Sequence, residues 1–302
     1  MAKYEHTVTS EEQGLSVKKI IKEHFTFSRR FWTKMKFQNL IDLNGTPIPG
    51  YIIPKPGDLI SIRLPEEKSC FTPEDIPIDV LYEDDDLLLI NKQPGVTVHP
   101  TKGHPLHTIA NGIMKYMEDT DQSFKIRFAN RLDMDTSGIV IIVKNSNAHN
   151  SISQQMQHKS VKKKYMAVVK GVIEDDDFTI DLPVGRPSLD SVARSVMYEG
   201  GKDAVTDVHV IRRFSSYTLV DLTLQTGRTH QLRVHLSHIG HPIVGDYLYG
   251  GDAPHLIERQ ALHAYYISFR HPLTGEPFEI TCEPTDDIKK CIELISVNSG
   301  KK

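Results

Sequence analysis

The stretch of the chain with the clearest capacity for chemistry is 129–144, A-N-R-L-D-M-D-T-S-G-I-V-I-I-V-K. Its first half is polar and contains Arg131 and Asp133, and its second half, Ile139 to Val143, is an unbroken apolar run. Such a β-branched run is typical of a strand that is buried on both faces. A polar loop held against a buried strand can fix a side chain in one geometry. The pattern makes Asp133 a candidate catalytic carboxylate, although an Asp that only caps a turn would also fit an isolated loop of this composition.

Regular patterns on both sides of this loop predict the elements that must position it. Two apolar runs flank an acidic turn at 83–86 and predict a hairpin whose second strand ends at Lys92. Apolar spacing predicts helices at 108–117 and 147–158, and alternation predicts strands between 205 and 224. Tyr165 opens a further strand-like run, where a tyrosine is ordinarily part of the core. We expect one domain over 78–296, followed by a polar tail, 297–302.

The first part of the chain is basic, although the formal net charge of all 302 residues is −3. Residues 14–64 contain nine Lys and Arg against three acidic residues. The pattern predicts two short helices, the second capped by Ser28, then a hairpin with an Asn-Gly turn and a final strand. The second helix contains the basic residues Arg29, Arg30 and Lys34 interleaved with aromatic residues. Such basic residues suit phosphate contacts, and the aromatic residues suit base stacking. A solvated basic helix whose aromatics pack inward explains the same pattern equally well.

Composition indicates a globular protein without a metal site or a disulfide framework. Apolar residues make up 39% of the chain, and no window has the character of a membrane span or a secretory signal. The three cysteines lack C-x-x-C spacing. Two groups of histidines invite a metal interpretation: His99, His104 and His107, and His230, His235, His238 and His241. Proline and glycine make the first segment irregular and end the helix of the second, which argues against a metal ion. We expect a cytoplasmic monomer.

Four segments of the chain resemble the motifs of one protein family. N-R-L-D-M-D-T-S-G is similar to the central motif of the RluA family of pseudouridine synthases, H-R-L-D-x-x-T-S-G, with Asn130 in place of the usual His. K-Q-P-G at 92–95, K-K-Y-M-A at 163–167 and G-R-T-H-Q-L-R-V-H at 227–235 resemble the other motifs, in the same order. Residues 1–68 resemble a small RNA-binding module named after a small-subunit ribosomal protein, and 69–77 would be a linker.

The resemblance implies a fold and a reaction. The fold would be α+β, with a mixed, mainly antiparallel central sheet, flanking helices and a catalytic cleft, preceded by a small α/β RNA-binding module. The enzyme would be an isomerase that detaches uracil from its ribose, turns it over and reattaches it through carbon, without a cofactor. Its partner would be RNA, either ribosomal RNA or transfer RNA.

The resemblance also implies roles for individual residues. Asp133 would be the nucleophile, and Arg233 would pair with it. Tyr165 would lie against the target base, and in the family this tyrosine has been proposed to help remove a proton from it. Arg131 would fill the space that the flipped uridine leaves. Further substrate contacts are expected from Lys92, Arg228 and His230.

Two other functions compete with this interpretation. D-M-D-T superficially resembles the Asp-x-Asp pair of magnesium-dependent phosphoryl-transfer enzymes of the haloacid dehalogenase type. In that class, however, a buried strand leads into the first Asp, whereas here the strand follows the loop. The second alternative is a non-catalytic RNA-binding protein, against which the intact set Arg131, Asp133, Tyr165 and Arg233 argues.

Overall fold

The computed structural model describes residues 3–25, 27, 29–64, 67–101, 103, 105–188 and 190–299. The expected helix cap Ser28 and His104 of the first histidine group lie outside the described residues, as do the side chains of Arg29 and Arg30.

The described residues from 3 to 64 form a small unit in which two helices pack on a four-stranded antiparallel sheet. Its strands are β1 (Lys3–Thr7), β2 (Ile41–Leu43), β3 (Thr46–Pro47) and β4 (Leu59–Arg63), in the order β1-β4-β2-β3. A one-turn helix (Ser10–Glu12) precedes α1 (Val17–His24) and α2 (Arg29–Phe37). The two predicted helices, the hairpin and the final strand are confirmed, and β1 was not predicted.

Local sequence explains two features of this unit. Val17, Ile20 and Ile21 of α1 are fully buried while the lysines between them are exposed, so the helix buries one apolar stripe. The turn between β2 and β3 has φ of 51° at Asn44 and 81° at Gly45, a conformation that Asn-Gly adopts readily.

A ten-stranded sheet forms the centre of the second unit. Its strands are β5 (Asp79–Glu83), β6 (Leu87–Lys92), β7 (Arg127–Phe128), β8 (Ser137–Val143), β9 (Lys162–Lys170), β10 (Asp177–Asp181), β13 (Val205–Arg213), β14 (Tyr217–Leu224), β15 (Leu262–Arg270) and β16 (Pro277–Thr281). They are arranged in the order β10-β13-β14-β9-β15-β8-β6-β5, with β16 paired to β15 and β7 to β8. A separate pair consists of β11 (Val184–Gly185) and β12 (Ser195–Val196). Neighbouring strands of the large sheet are antiparallel except β8 and β15. The predicted α+β fold with a mixed, mainly antiparallel sheet is confirmed.

The described residues of this unit form four α-helices: α3 (Ile109–Asp119), α4 (Ser146–Gln157), α5 (Gln231–His238) and α6 (Asp286–Ser299), with a one-turn helix at Tyr247–Tyr249. The first two lie where apolar spacing predicted them. The last helix includes residues 297–299, which the sequence assigned to a polar tail, because the buried Ile295 anchors its final turns. Within the described part of the chain, no helix has both the length and the apolar character needed to cross a bilayer.

The central strand β8 is buried along its whole length. Val140 and Ile142 pack into the larger core, and Ile139, Ile141 and Val143 into a second core on the other face. This explains why the sequence shows a continuous apolar run rather than alternation. At its start, Gly138 has φ of 115°, and a Cβ there would lie 2.2 Å from the carbonyl oxygen of Ala264. Glycine therefore permits the close parallel pairing of β8 with β15.

The two units are joined by a buried polar contact. Tyr4 of β1 donates its hydroxyl hydrogen to Asp86, and the side chain of Asn145 donates to the same carboxylate at 2.6 Å. Burial raises the pKa of Asp86, although these hydrogen bonds oppose the rise. Residues 69–77 contain neither helix nor strand, and the carbonyl of Thr72 accepts a hydrogen bond from Asn111 of α3 at 2.8 Å. The connecting segment thus lies against the second unit.

Candidate active site

The loop that carries Asp133 connects β7 to the buried start of β8, and it is fixed by contacts on several sides. Asn130 donates to the carbonyl of Ile139 at 3.0 Å and accepts from the backbone N–H of Ile141 at 2.8 Å. Its amide supplies both a donor and an acceptor, so the residue that departs from the usual His ties the loop to β8. Arg259 donates to the carbonyl of Asp135 at 2.9 Å and binds the opposite side of the loop.

Lys92 lies beneath this loop and bonds to its backbone. Its side chain is fully buried, and its Nζ donates to the carbonyls of Gln93 at 2.7 Å and Met134 at 2.8 Å. Burial lowers the pKa of this amine to about 7, opposed by the charges of Asp135 and Asp133. Its expected contact with substrate stays a prediction, and in this structure the amino group of Lys92 is enclosed and already bonded to two backbone carbonyls. It holds the loop in place.

Arg233 of α5 links the candidate nucleophile to a second carboxylate. Its Nη1 lies 3.2 Å from Oδ2 of Asp133, while Nε and Nη2 bind the two oxygens of Asp246 at 2.7 and 2.8 Å. Asp246 is completely buried. Burial disfavours the charge on Arg233, but the two carboxylates outweigh it and raise the pKa of the guanidinium. The bidentate pair with Asp246 thus fixes the direction in which Arg233 presents its remaining amino group.

His230 faces Asp133 from the start of the same helix, with its Nε2 3.8 Å from Oδ2 of Asp133. Tyr249 accepts a hydrogen bond from the backbone N–H of Arg194 at 2.7 Å, and its hydroxyl lies 2.8 Å from Nδ1 of His230. We assign the phenol O–H of Tyr249 as the donor and Nδ1 of His230 as the acceptor. The ring hydrogen of the neutral imidazole then lies on Nε2, which faces the carboxylate of Asp133. Burial lowers the pKa of His230, which favours the neutral ring. The residue has a φ of 57°, a left-handed conformation that is uncommon outside glycine and often marks functional sites.

These side chains open into a cavity of about 580 Å³ that lies between β9, the Asp133 loop and the start of α5. Its polar lining residues include Arg131, Asp133, Lys163, Tyr165, Arg228, His230 and Arg233. The predicted catalytic residues Asp133, Tyr165 and Arg233 therefore share one cavity.

Tyr165 is almost fully buried in the cavity wall. Burial, with the negative charge of Asp133 as a second cause, raises the pKa of its phenol well above the usual range. The phenol therefore stays protonated at neutral pH, which suits a residue that packs on a base better than one that removes a proton from it.

Arg131 and Arg228 are cations at the mouth of the site. Arg131 is exposed and donates to the hydroxyl of Thr229 at 2.6 Å, a contact that holds it at the cavity rim. Arg228 donates to the carbonyl of Asp203 at 2.9 Å and is also exposed. Lys34, in contrast, belongs to the first unit, and none of the described residues from 3 to 64 lines the cavity.

The sequence did not identify Asp246 or Tyr249. G-D-Y-L-Y-G reads as a turn, and Asp246 acquires its meaning only from its distance to Arg233. Of the second histidine group, His235 is fully buried, and its ring nitrogens lie 2.9 Å from the carbonyl of Leu182 and 3.0 Å from the hydroxyl of Thr206. A hydrogen-bonded core histidine explains that residue.

Comparison with known proteins identifies the family of this chain. The family described as RNA pseudouridylate synthase matches residues 86–238. Uncharacterized RNA pseudouridine synthase YlyB of Bacillus subtilis (strain 168) is 36% identical over 300 residues, 96% of this chain and 98% of the relative. Ribosomal large subunit pseudouridine synthase D of Neisseria meningitidis serogroup A is 36% identical over 252 residues, 80% of this chain and 67% of the relative. The solved structure of Human RNA Pseudouridylate Synthase Domain Containing 1 has a TM-score of 0.58 at 25% identity and covers 75% of this chain and 96% of that one.

Fold, cavity and relatives define a class of RNA-modifying isomerases. The chain belongs to the RNA pseudouridylate synthase family, and the resemblance stated from its motifs is confirmed. It is an isomerase that acts on RNA and forms pseudouridine from uridine. Family membership decides against both the phosphoryl-transfer enzyme and the non-catalytic RNA-binding protein.

Proposed function

We propose that this enzyme modifies a uridine in large-subunit ribosomal RNA. The observation that supports this target is the 36% identity, over 80% of the chain, to a relative named ribosomal large subunit pseudouridine synthase D. We propose further that it acts as a cytoplasmic monomer, because the cavity described above is formed by one chain.

Asp133 is proposed to start the reaction. It is a partly exposed carboxylate at a cavity that can admit a base, and Arg233 and His230 hold it from two directions. It would break the bond between C1′ of the ribose and N1 of uracil, either by attacking the sugar or by assisting departure of the base. Uracil then turns within the cavity, C5 bonds to C1′, and the hydrogen leaves C5 while N1 gains one. The atoms balance without an oxidant, a reductant or a phosphoryl donor.

The target uridine must leave the RNA stack before Asp133 can reach it. Flipping costs on the order of a few kcal/mol, which contacts in the cavity must offset. Arg131, held at the rim by Thr229, is proposed to occupy the vacated space, and Tyr165 to pack on the extracted ring. Both side chains line the cavity that holds Asp133.

Pseudouridine mapping tests the target. Total RNA from cells with and without the gene is compared, and purified enzyme is then added to the RNA that lacks the modification. We expect one or a few large-subunit ribosomal sites to disappear without the gene and to return on addition of wild-type enzyme. Restoration of a transfer RNA site instead would overturn the target while leaving the chemistry intact.

A further inference from the structure

Lys163 is a cation of the active-site cavity, and its surroundings distinguish it from the neighbouring lysines of β9. It lies on β9 two residues before Tyr165, so both side chains project from the same face of the strand, and both line the cavity. No acidic side chain of the described residues pairs with it, whereas Lys164, on the other face, binds Asp221 at 3.0 Å. Burial lowers the pKa of Lys163, and no carboxylate opposes the shift.

The charges of Arg233 and its two carboxylate partners explain why a further cation of the cavity is useful. Arg233 faces two carboxylates, Asp133 and Asp246, so this group of three carries a net negative charge. A polyanionic RNA chain that brings its uridine to Asp133 meets that charge at close range. A half-buried ammonium without a partner is unfavourable in the free enzyme, and an arriving anion removes that penalty.

We propose that Lys163 binds a backbone phosphate adjacent to the flipped uridine. The position of its ammonium group supports this: a Cβ placed on Gly227 would lie 3.5 Å from Nζ, so Nζ lies close to the loop that continues into Arg228 and Thr229. Glycine leaves the space beside the ammonium open. A phosphate carries a full negative charge, which compensates a desolvated ammonium better than a neutral uracil carbonyl does.

This proposal rests on the proposed function, because it places the phosphate next to a uridine that reacts at Asp133. It goes further by assigning a substrate contact to a residue outside the Asp133, Tyr165 and Arg233 set. The contact would help to hold the flipped nucleotide in the cavity that Lys163 and Arg131 both line.

The test compares Lys163→Met with Lys162→Met. Lys162 is the preceding residue of β9 and is exposed, so both variants lose one positive charge from the same strand while only one loses it from the cavity. Affinity for large-subunit ribosomal RNA is measured at several salt concentrations, and single-turnover rates are measured at saturating RNA. Thermal unfolding of each variant establishes that it folds.

We expect Lys163→Met to bind roughly tenfold more weakly than wild type at low salt. Its slope of log affinity against log salt should be flatter by about 0.7, the value for one phosphate contact on a single strand. Its rate at saturating RNA should fall less than its affinity. Lys162→Met should match wild type, and Lys163→Arg should restore the slope. Equal slopes for Lys163→Met and wild type would overturn the phosphate contact.

A single modified linkage then locates the phosphate. Once the site is mapped, a synthetic RNA carries an uncharged methylphosphonate next to the target uridine. Wild type and Lys163→Met should bind this RNA equally, and a persisting difference would place the contact elsewhere. If wild-type enzyme does not modify ribosomal RNA at all, the target proposal fails, while the slope comparison on whichever RNA it modifies still decides the role of Lys163.

Discussion

At the scale of single residues, the geometry of Asp133 depends on contacts that neighbouring side chains make with its loop and with its carboxylate. Lys92 and Arg259 donate hydrogen bonds to backbone carbonyls of the loop, and the side chain of Asn130 bonds to the backbone of β8. Arg233 and His230 face the carboxylate itself. The role of a carboxylate fixed in this way can be tested by substitutions that keep the size and shape of its side chain.

Asp133→Asn is expected to lower the rate of pseudouridine formation by several orders of magnitude while leaving RNA affinity within a few-fold of wild type. The amide keeps the size of the side chain but cannot supply a negative oxygen. The rate is measured under single-turnover conditions and the affinity by titration of labelled RNA. Asp135→Asn, the same change two residues along the loop, is the control and should retain most of the rate. Near-normal turnover by Asp133→Asn would remove it from the mechanism.

Asp246→Asn is expected to slow the reaction at least tenfold and to destabilise the protein. The amide can accept only one of the two hydrogen bonds that Arg233 donates, so the guanidinium loses its fixed direction. Breaking a buried ion pair also costs about 3–5 kcal/mol. Turnover at saturating RNA and thermal unfolding measure the two effects. Asp252→Asn, an exposed neighbour, should change neither, and an unaffected rate for Asp246→Asn would show that Arg233 needs no support.

Tyr165→Phe is expected to keep a substantial part of the activity, whereas Tyr165→Ala should lose most of it. The raised pKa of the phenol keeps it protonated, so the ring rather than the hydroxyl should matter. Rates for both variants are compared from pH 6 to 9 with the same RNA. Complete loss in Tyr165→Phe would instead assign a chemical role to the hydroxyl group.

The motifs predicted which residues share the cavity but not what holds them there. Asp133, Tyr165 and Arg233 could be placed because the family pattern fixes their order along the chain. Burial is a property of the folded chain, so the sequence could not show that Lys92 is enclosed. Asp246 was not identified because its contact with Arg233, thirteen positions earlier in the chain, exists only in the folded structure.

At the scale of elements, the sequence predicted the segments whose pattern is local. The helices α3 and α4 have regular apolar spacing, and the Asn-Gly turn specifies its hairpin. Strand β1 lacks such a signal, because its five residues alternate weakly and its pairing partner β4 begins more than fifty residues later. Only long-range pairing gives β1 its conformation.

The carboxylate of Glu12, in the one-turn helix that follows β1, is expected to make the stability of the protein depend on pH. His6 approaches its carboxylate at 2.9 Å and His24 at 2.5 Å, and the backbone N–H of Thr9 donates to it at 2.7 Å. Burial would raise the pKa of Glu12, but these hydrogen bonds outweigh it and lower the pKa to about 2. A lowered folded pKa contributes stability above the unfolded value of 4.5, and this contribution disappears as the pH falls towards 2.

Glu12→Gln is therefore expected to unfold at a lower temperature than wild type at pH 7, by a few degrees. The difference should shrink as the pH is lowered from 4.5 towards 3, because the wild-type carboxylate loses its advantage there. Unfolding midpoints of both proteins are compared at fixed ionic strength. Glu11→Gln, an exposed neighbour, is the control, and a difference that is independent of pH would contradict the assignment.

At the scale of the whole molecule, charge is divided between two units that touch. The net charge of −3 does not prevent RNA binding, because the first unit concentrates basic residues. The contact of Tyr4 with Asp86 and Asn145 means that removing the first unit also exposes a carboxylate that is now buried. Deletion of residues 1–68 should weaken RNA binding more than the chemical step, but it changes the second unit as well.

A substitution that keeps Tyr4 in place separates these effects. Lys34→Gln combined with Lys36→Gln removes two charges from α2. Each lysine that neutralises a phosphate releases condensed counterions, so the slope of log affinity against log salt should flatten by about 0.7 to 0.9 for each phosphate that is no longer neutralised. The matched control is Lys289→Gln with Lys290→Gln, two exposed lysines of α6. Single-turnover rates at saturating RNA should stay near wild type in both double variants, since neither pair of lysines lines the cavity.

Coinciding salt slopes for the two variants and wild type would mean that α2 does not contact RNA through these lysines, and that its aromatic residues serve the packing of the first unit.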